Sequence, residues 1–233
     1  MVRLTRPLAL LAALLLPSVA SADAARVDVV IERSGNMVEI FFGLPAEGLV
    51  DVFALPPEHL VQEDGTVDFE PLRRGTWQIG EAVFAGVEAT IGGAPAGFEA
   101  MSLMVHPADA KLPLRDGIDG IVAIGVCNVE APEVPPTLSD LHAYIGLVAY
   151  PEDTSATVSL RLPETGIGPI ELSIRDHTAG RLTAAYTVEL EEGAELVLAP
   201  GSDADRLPGG IGTVLLGAFA LVALIGATRR VRS

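Results

Sequence analysis

The sequence predicts an all-β fold, an antiparallel β-sandwich followed by one C-terminal transmembrane helix. Short segments in which apolar and polar residues alternate are separated by Gly and Pro, a pattern typical of sandwiches and barrels. Helical periodicity is scarce by comparison. Near the C-terminus, an uncharged and mostly apolar stretch, residues 207–228, ends directly on a cluster of arginines.

Residues 1–22 have the pattern of a secretory signal peptide. Two arginines precede the apolar run 8–16, which is too short to span a bilayer comfortably. Ala20 and Ala22 form an A-x-A-like site, so we expect signal peptidase to cleave after Ala22.

The first part of the mature chain reads as a β-hairpin. Segments 26–33 and 37–43 each place three apolar side chains on one face, and the turn residues Ser34, Gly35 and Asn36 separate them. Segment 49–55 is the next expected strand, and the two prolines that follow it mark its end.

The middle of the chain is less regular, and the expected strands there rest mainly on short apolar runs. Between them, the Pro-, Asp- and Gly-containing segment 107–117 is expected to be a loop. The expected strands are 77–85, 87–91, 98–106 and 118–126.

Alternation is cleanest after residue 156. Val158, Leu160 and Leu162 share one face of a strand at 157–162, with polar neighbours on the other face. Turn residues such as Gly166, Gly180 and Gly193 separate the further expected strands, which are 169–175, 181–190 and 195–198.

We therefore expect one β-sandwich domain at residues 23–199, followed by a short flexible tether at 200–206. The proline-rich segment 131–137 is the one internal boundary that the composition suggests. A division into two small sandwiches there is the alternative, since all-β domains of either size are common.

Residues 207–228 are expected to form the transmembrane helix. At about 1.5 Å per residue they span about 33 Å, enough for the hydrocarbon core of a bilayer. Arg229, Arg230 and Arg232 in the tail 229–233 should remain cytoplasmic, which places the β-domain on the other side. The expected location is a bacterial inner membrane, with the domain in the periplasm and the membrane contacted through this helix.

The C-terminal tail also resembles the tripartite C-terminal sorting signals of bacterial envelope proteins. Gly209 and Gly210, the apolar span and the Arg-rich end are similar to the GlyGly variety of these signals. The resemblance covers the tail alone, and it implies processing by an intramembrane protease and a location at the cell surface. A plain membrane anchor is the alternative.

Composition narrows the range of partners. All 31 acidic residues lie between Asp23 and Asp205, and the chain carries a formal net charge of −16. This charge argues against nucleic acid or anionic lipid as partners of the domain, and leaves a protein partner in the envelope as an expectation. Cys127 is the one cysteine, which excludes an intramolecular disulfide, and its apolar flanks favour a buried thiol.

Met101, Met104 and His106 form the most distinctive constellation of potential ligands. Two thioethers and an imidazole are the soft donors that select Cu(I), so copper is the candidate cofactor, although none is required. On a regular strand Met104 and His106 share a face while Met101 points the other way, unless the strand bulges. Gap-filling by the methionines is the structural alternative.

Two further groups of residues have structural and functional interpretations. His142, Tyr144 and Tyr150 would lie on one strand face, as a binding strip or as cross-strand packing. The spaced carboxylates Asp116 with Asp119, and Asp203 with Asp205, fall short of a Ca²⁺ loop and are expected to serve a turn and the tether.

The chain lacks the familiar catalytic motifs, including G-x-S-x-G, S-x-x-K, H-E-x-x-H and the phosphate-binding loop. The sequence therefore favours a binding or structural module of the envelope over an enzyme. Metal handling is the first alternative. A hydrolase of envelope glycans is the second, because its two carboxylates would meet in space and not in sequence.

Overall fold

A computed structural model of the protein describes residues 25–69, 75–125 and 133–200. These residues are strand-rich and form two β-sheets, in agreement with a mostly β fold. The strands are β1 (Ala25–Ser34), β2 (Met37–Pro45), β3 (Glu88–Ile91), β4 (Ala94–Pro95), β5 (Glu99–Pro107), β6 (Leu141–Ala149), β7 (Val158–Arg161), β8 (Ile170–Thr178), β9 (Arg181–Leu190) and β10 (Glu195–Leu198).

Three α-helices and three single 3-10 turns connect the strands in the described residues. The helices are α1 (Gly48–Asp51), α2 (Thr76–Phe84) and α3 (Gly117–Ile124), and the 3-10 turns are Pro57–His59, Ala108–Ala110 and Leu138–Asp140. None of these helices is long and apolar enough to cross a bilayer.

The larger sheet has six strands in the order β5-β6-β2-β1-β8-β9. The predicted hairpin at its centre is confirmed: β1 and β2 pair antiparallel, and Ser34 lies opposite Met37 across a two-residue turn. Gly35 adopts a positive φ of 58° in that turn, a conformation that glycine reaches without a steric penalty.

One pair of strands departs from the antiparallel expectation. β1 and β8 are parallel, in register from Ala25 beside Ile170 to Arg33 beside Thr178. Parallel neighbours require a long crossover connection, and here the chain between β1 and β8 passes through both sheets before it returns.

The smaller sheet has four strands in the order β10-β7-β3-β4. Its central pair joins β3 and β7, which lie on opposite sides of segment 131–137 in the chain. In the larger sheet β2 and β6 are joined in the same way. Both sheets are therefore built from strands that precede and strands that follow this proline-rich segment.

Apolar side chains from both sheets form one shared core. Alternate residues of β1, such as Val27, Val29 and Ile31, point into it and are fully buried. Leu160 of β7 and Leu196 of β10 contribute from the smaller sheet. Helix α2 adds Ile79 and Val83 to the same core.

Three expected strands are helical, and the reason is the spacing of their buried residues. Segment 49–55 begins in α1 and continues into a turn after Asp51, segment 77–85 lies within α2 and the turn after it, and segment 118–126 overlaps α3. In α2 the buried residues Ile79 and Val83 are four apart, which is a helical spacing. The expectation of strands there is wrong because a short apolar run suits a strand and a buried helix equally, and the spacing of the buried residues is what separates the two.

The face of α3 that packs on the sheet gives little hydrophobic signal in the sequence. Its buried residues include Gly117, Gly120 and Ala123, small residues three apart that carry little hydrophobic signal. Asp116 caps the helix by accepting a hydrogen bond from the backbone N–H of Asp119 at 2.9 Å.

A buried ion pair ties distant parts of the chain together. The Nε of Arg33 donates to both carboxylate oxygens of Asp176, at 3.1 and 3.2 Å, and both side chains are almost fully buried. Its two remaining nitrogens donate to the backbone carbonyls of Thr154, Ala156 and Leu198. Arg33 thus connects β1 to β8, to the loop before β7 and to β10.

Several expectations concern residues outside the described ranges. They are the signal peptide with Ala20 and Ala22, Cys127, most of the tether, the span 207–228 with Gly209 and Gly210, and the arginines 229, 230 and 232.

Candidate functional site

The face of the larger sheet that points away from the shared core, here called the outer face, carries a second apolar cluster. Helix α3 lies across it and contributes Ala123 and Ile124. The sheet contributes four buried side chains, which are Val30, Phe41, Met104 and Tyr144. Both faces of the larger sheet are therefore covered in its middle.

Met101 and Met104 both pack in this outer-face cluster, and a β-bulge is the reason. The pairing of β5 with β6 shifts between Ala100 and Ser102, which leaves Met101 as the extra residue. A bulge interrupts alternation, so Met101 packs against the same cluster as Met104. The alternative left open in the sequence, that a bulge places Met101 on the same face as Met104, is the one the structure shows.

His106 lies near the end of β5 with its ring held on two sides. Its Nε2 lies 2.8 Å from the carbonyl oxygen of Ala123 in α3. A carbonyl oxygen can only accept, so Nε2 carries the proton. The ring also makes an edge contact with the ring of Tyr144, with a centroid distance of 5.4 Å.

His142 is the residue directly opposite His106 on the neighbouring strand β6. It is 6% exposed, and its Nε2 has no hydrogen-bond partner among the described residues. Its ring contacts that of Tyr144 at a centroid distance of 4.9 Å. Burial, reinforced by the positive charge of Lys111, lowers the pKa of His142 to about 4.

The segment 111–125 is fastened over the outer face by polar contacts as well as by packing. Lys111 forms an ion pair with Asp28 of β1 at 3.1 Å. Three backbone carbonyls of this segment accept hydrogen bonds from the sheet: that of Leu112 from the Tyr144 hydroxyl at 2.6 Å, that of Leu114 from Arg175 at 3.3 Å, and that of Arg115 from His177 Nε2 at 3.0 Å. Burial raises the pKa of Tyr144 to about 12, so its phenol remains a donor at neutral pH.

Two buried carboxylates also meet on this face. Glu32 of β1 and Glu39 of β2 are directly opposite each other and are 8% and 5% exposed. Burial first, and repulsion from Glu32 second, raise the pKa of Glu39. Glu32 accepts a hydrogen bond from the backbone N–H of Gly180, which gives it a role in the β8–β9 turn. With so little exposure, the pair is out of reach of a polysaccharide chain.

The acidic pair Asp116 and Asp119 has a structural role at the start of α3. Asp116 is the cap described above, and Asp119 accepts from the Arg115 side chain at 2.7 and 3.2 Å. The hydrogen bonds from Arg115 lower the pKa of Asp119. Asp203 and Asp205 lie outside the described residues. Within those residues, no three His, Cys, Asp or Glu side chains converge as metal ligands would.

A groove of about 640 Å³ opens at the C-terminal end of β6, the end away from His142. One wall is the β3–β4 hairpin with the residues that follow it, and the other is the segment from Ala149 to the start of β7. Tyr150 lines it with 62% of its surface exposed, beside Glu152 and Asp153. The remaining lining is mostly Gly, Ala and Pro, at positions 92, 94, 95, 96 and 97 among others.

The expected strip of His142, Tyr144 and Tyr150 is divided by the structure. His142 and Tyr144 pack against each other on the outer face, whereas Tyr150 follows the end of β6 and faces the groove. The groove was not anticipated, because small residues in a hairpin give no chemical signal in sequence. The pairing of His142 with His106 was not anticipated either, because 35 residues separate them in the chain.

Comparison with known proteins adds no assignment: no protein-family model matches the chain, and no curated protein matches it.

Proposed function

We propose that this protein is a membrane-anchored, extracytoplasmic binding module of the bacterial envelope. The groove between the β3–β4 hairpin and the loop after β6 carries the proposal, because it is a formed concave surface of ligand size. In this proposal the two sheets form a β-sandwich in the periplasm, exported by the signal peptide 1–22 and held by the helix 207–228.

The lining of the groove suits main-chain recognition. Glycine has no side chain and alanine has a single methyl group, so these residues leave much of the backbone along the groove uncovered, although Gly92 and Ala96 already donate their N–H groups to Thr157 and Ala89. β4 is one of the two edge strands of the smaller sheet; it is two residues long, and only Ala94 of the two has an N–H, because Pro95 has none. An extended segment of another envelope protein is therefore the ligand that fits best, since such segments bind at sheet edges through backbone hydrogen bonds.

Tyr150 and the neighbouring carboxylates supply the features that distinguish one segment from another. An exposed tyrosine offers a rigid contact surface with a polar tip, and such residues are enriched in binding interfaces. Glu152 and Asp153 favour a segment that carries a positive charge. Asp153 already accepts hydrogen bonds from Ser155, which orients it within the loop.

The tether limits where the partner can be. Residues 200–206 are few and polar, so the domain stays near the bilayer and the partner is membrane-proximal. If the GlyGly-like tail is a sorting signal, the same module works at the cell surface.

The test is site-specific photo-crosslinking in intact cells, with a photoreactive phenylalanine analogue in place of Tyr150. We expect a discrete crosslinked protein. Gly97→Phe should abolish the crosslink, because a Cβ at Gly97 meets open space within the groove and the added ring would fill it.

Ala185→Phe is the matched control, since Ala185 is an exposed residue of β9 outside the groove. It should leave the crosslink intact. Loss of the crosslink in both variants, or its persistence in Gly97→Phe, would contradict the groove as the binding site.

A further inference from the structure

A second site is indicated at the opposite end of β6, about 23 Å along the strand from the groove at roughly 3.3 Å per residue. His106 and His142 are directly opposite each other on adjacent antiparallel strands. Residues in that relation have Cβ atoms about 4.5–5.5 Å apart. Two imidazoles at that separation can bind one metal ion.

His142 presents a nitrogen that the fold leaves without a hydrogen bond. Its Nε2 is buried, and no described residue donates to it or accepts from it. Buried polar atoms are rarely left unsatisfied in natural proteins, and among the described residues His177 Nδ1 is the other side-chain atom in this state.

His106 is oriented as metal-binding histidines usually are. Its Nε2–H donates to the Ala123 carbonyl, so in the neutral ring Nδ1 is the nitrogen with the free lone pair. A carbonyl on the far nitrogen fixes both the tautomer and the ring direction of a ligand. The edge contact with Tyr144, which also touches His142, further restricts both rings.

Thioethers complete the set of donors. Met104 lies two residues before His106 on the same strand and opposite Tyr144, and it is 5% exposed. The bulge brings Met101 to the same cluster. Two imidazoles with a thioether form a soft, neutral set, which favours Cu(I) over Ca²⁺, Mg²⁺ or Mn²⁺.

We infer that His106 Nδ1, His142 Nε2 and the sulfur of Met104 form a Cu(I) site beneath the segment 111–125. This inference is independent of the groove and adds metal binding to the module. His142 is the decisive member, because it is the ligand that sequence spacing alone could not connect to the other two.

The test is anaerobic Cu(I) competition against a chromophoric Cu(I) chelator, with the full chain in detergent. We expect the wild type to withdraw Cu(I) from the chelator. His142→Leu and Met104→Leu should each weaken binding at least about tenfold. His59→Gln should bind as the wild type does, because His59 is exposed on a 3-10 turn far from β6 in the chain.

X-ray absorption of the copper-loaded wild type keeps the inference testable if a variant fails to fold. Nitrogen and sulfur scatterers together would support the site. Copper bound through nitrogen and oxygen alone, unchanged affinity in His142→Leu, or no competition by the wild type would each overturn it.

Discussion

His142 lies in an environment that disfavours the charged form of its ring. An imidazole in water is half protonated near pH 6.5, yet this ring is buried and feels the positive charge of Lys111. The folded protein therefore holds it neutral down to about pH 4. This difference between folded and unfolded states must appear as a pH-dependent stability.

We predict that the free energy of unfolding falls as the pH is lowered from about 6.5 to 4. In that range the unfolded chain takes up a proton on His142 and the folded chain does not, so protonation favours unfolding. The loss should be about 2 kcal/mol, because solvent screening holds it below the full value of the pKa difference. Urea unfolding in detergent without copper, followed by far-UV circular dichroism at a series of pH values, measures it.

The controls for this effect are two of the variants proposed for the copper experiment, His142→Leu and His59→Gln. His142→Leu should remove the part of the slope between pH 6.5 and 4, and His59→Gln should keep it. An identical slope in wild type and His142→Leu would show that another group is responsible.

The sequence was enough to predict that Met104 and His106 share a face, because alternation along one strand decides which face a side chain occupies. It could not decide the face of Met101. A bulge forms where two residues of one strand lie opposite one residue of the neighbouring strand. Here that one residue is Gly146, which lies 45 positions after Met101 in the chain. The sequence placed His142 on a strand with Tyr144, but it could not show that His106 lies opposite, because the two histidines belong to different strands that are far apart in the chain.

At the scale of elements, the clearest predictions were the strands with strict alternation. The β1–β2 hairpin and the strands β7 to β10 match their expected positions within a few residues. The helices α2 and α3 were expected to be strands. In α3 three of the four buried residues are glycine or alanine and the fourth is Ile124, so close steric fit positions the helix together with the apolar contact of Ile124.

That fit leads to a prediction at Gly120. A Cβ added there would lie 2.4 Å from the ring of Phe41, which is itself buried beneath the helix. Gly120→Ala should therefore displace α3 and lower the free energy of unfolding by about 1–3 kcal/mol, although alanine favours helix by about 1 kcal/mol. Urea unfolding of the full chain in detergent measures this change.

Gly97→Ala is the matched substitution, because a Cβ at Gly97 meets open space. It should leave stability unchanged or raise it by less than about 1 kcal/mol. Equal effects of the two substitutions would mean that α3 does not depend on close contact with Phe41.

At the scale of the whole molecule, the fold is dominated by pairings between distant segments. β1 lies beside β8, β2 beside β6, and Arg33 is bonded to Asp176, 143 residues away. One sequence shows where strands are but not which strands pair, because the same alternation is compatible with many sheets. The β-rich class was therefore predictable, while the parallel β1–β8 pair and the groove were not.

The proposed topology gives these parts a common setting. In this proposal a signal peptide, a short tether and an apolar span with a basic end would hold the acidic β-rich domain on the outer side of a membrane. The binding proposals assume this setting, since a membrane-proximal partner and envelope copper are both encountered there.

The most direct test of this setting is the intact mass of the protein isolated from its native membrane. We predict a mass that corresponds to residues 23–233, with the signal peptide removed and the anchor retained. A mass that still includes residues 1–22 would contradict export by a cleaved signal. A mass that ends near Gly209 or Gly210 would contradict a permanent anchor and would identify the tail as a sorting signal.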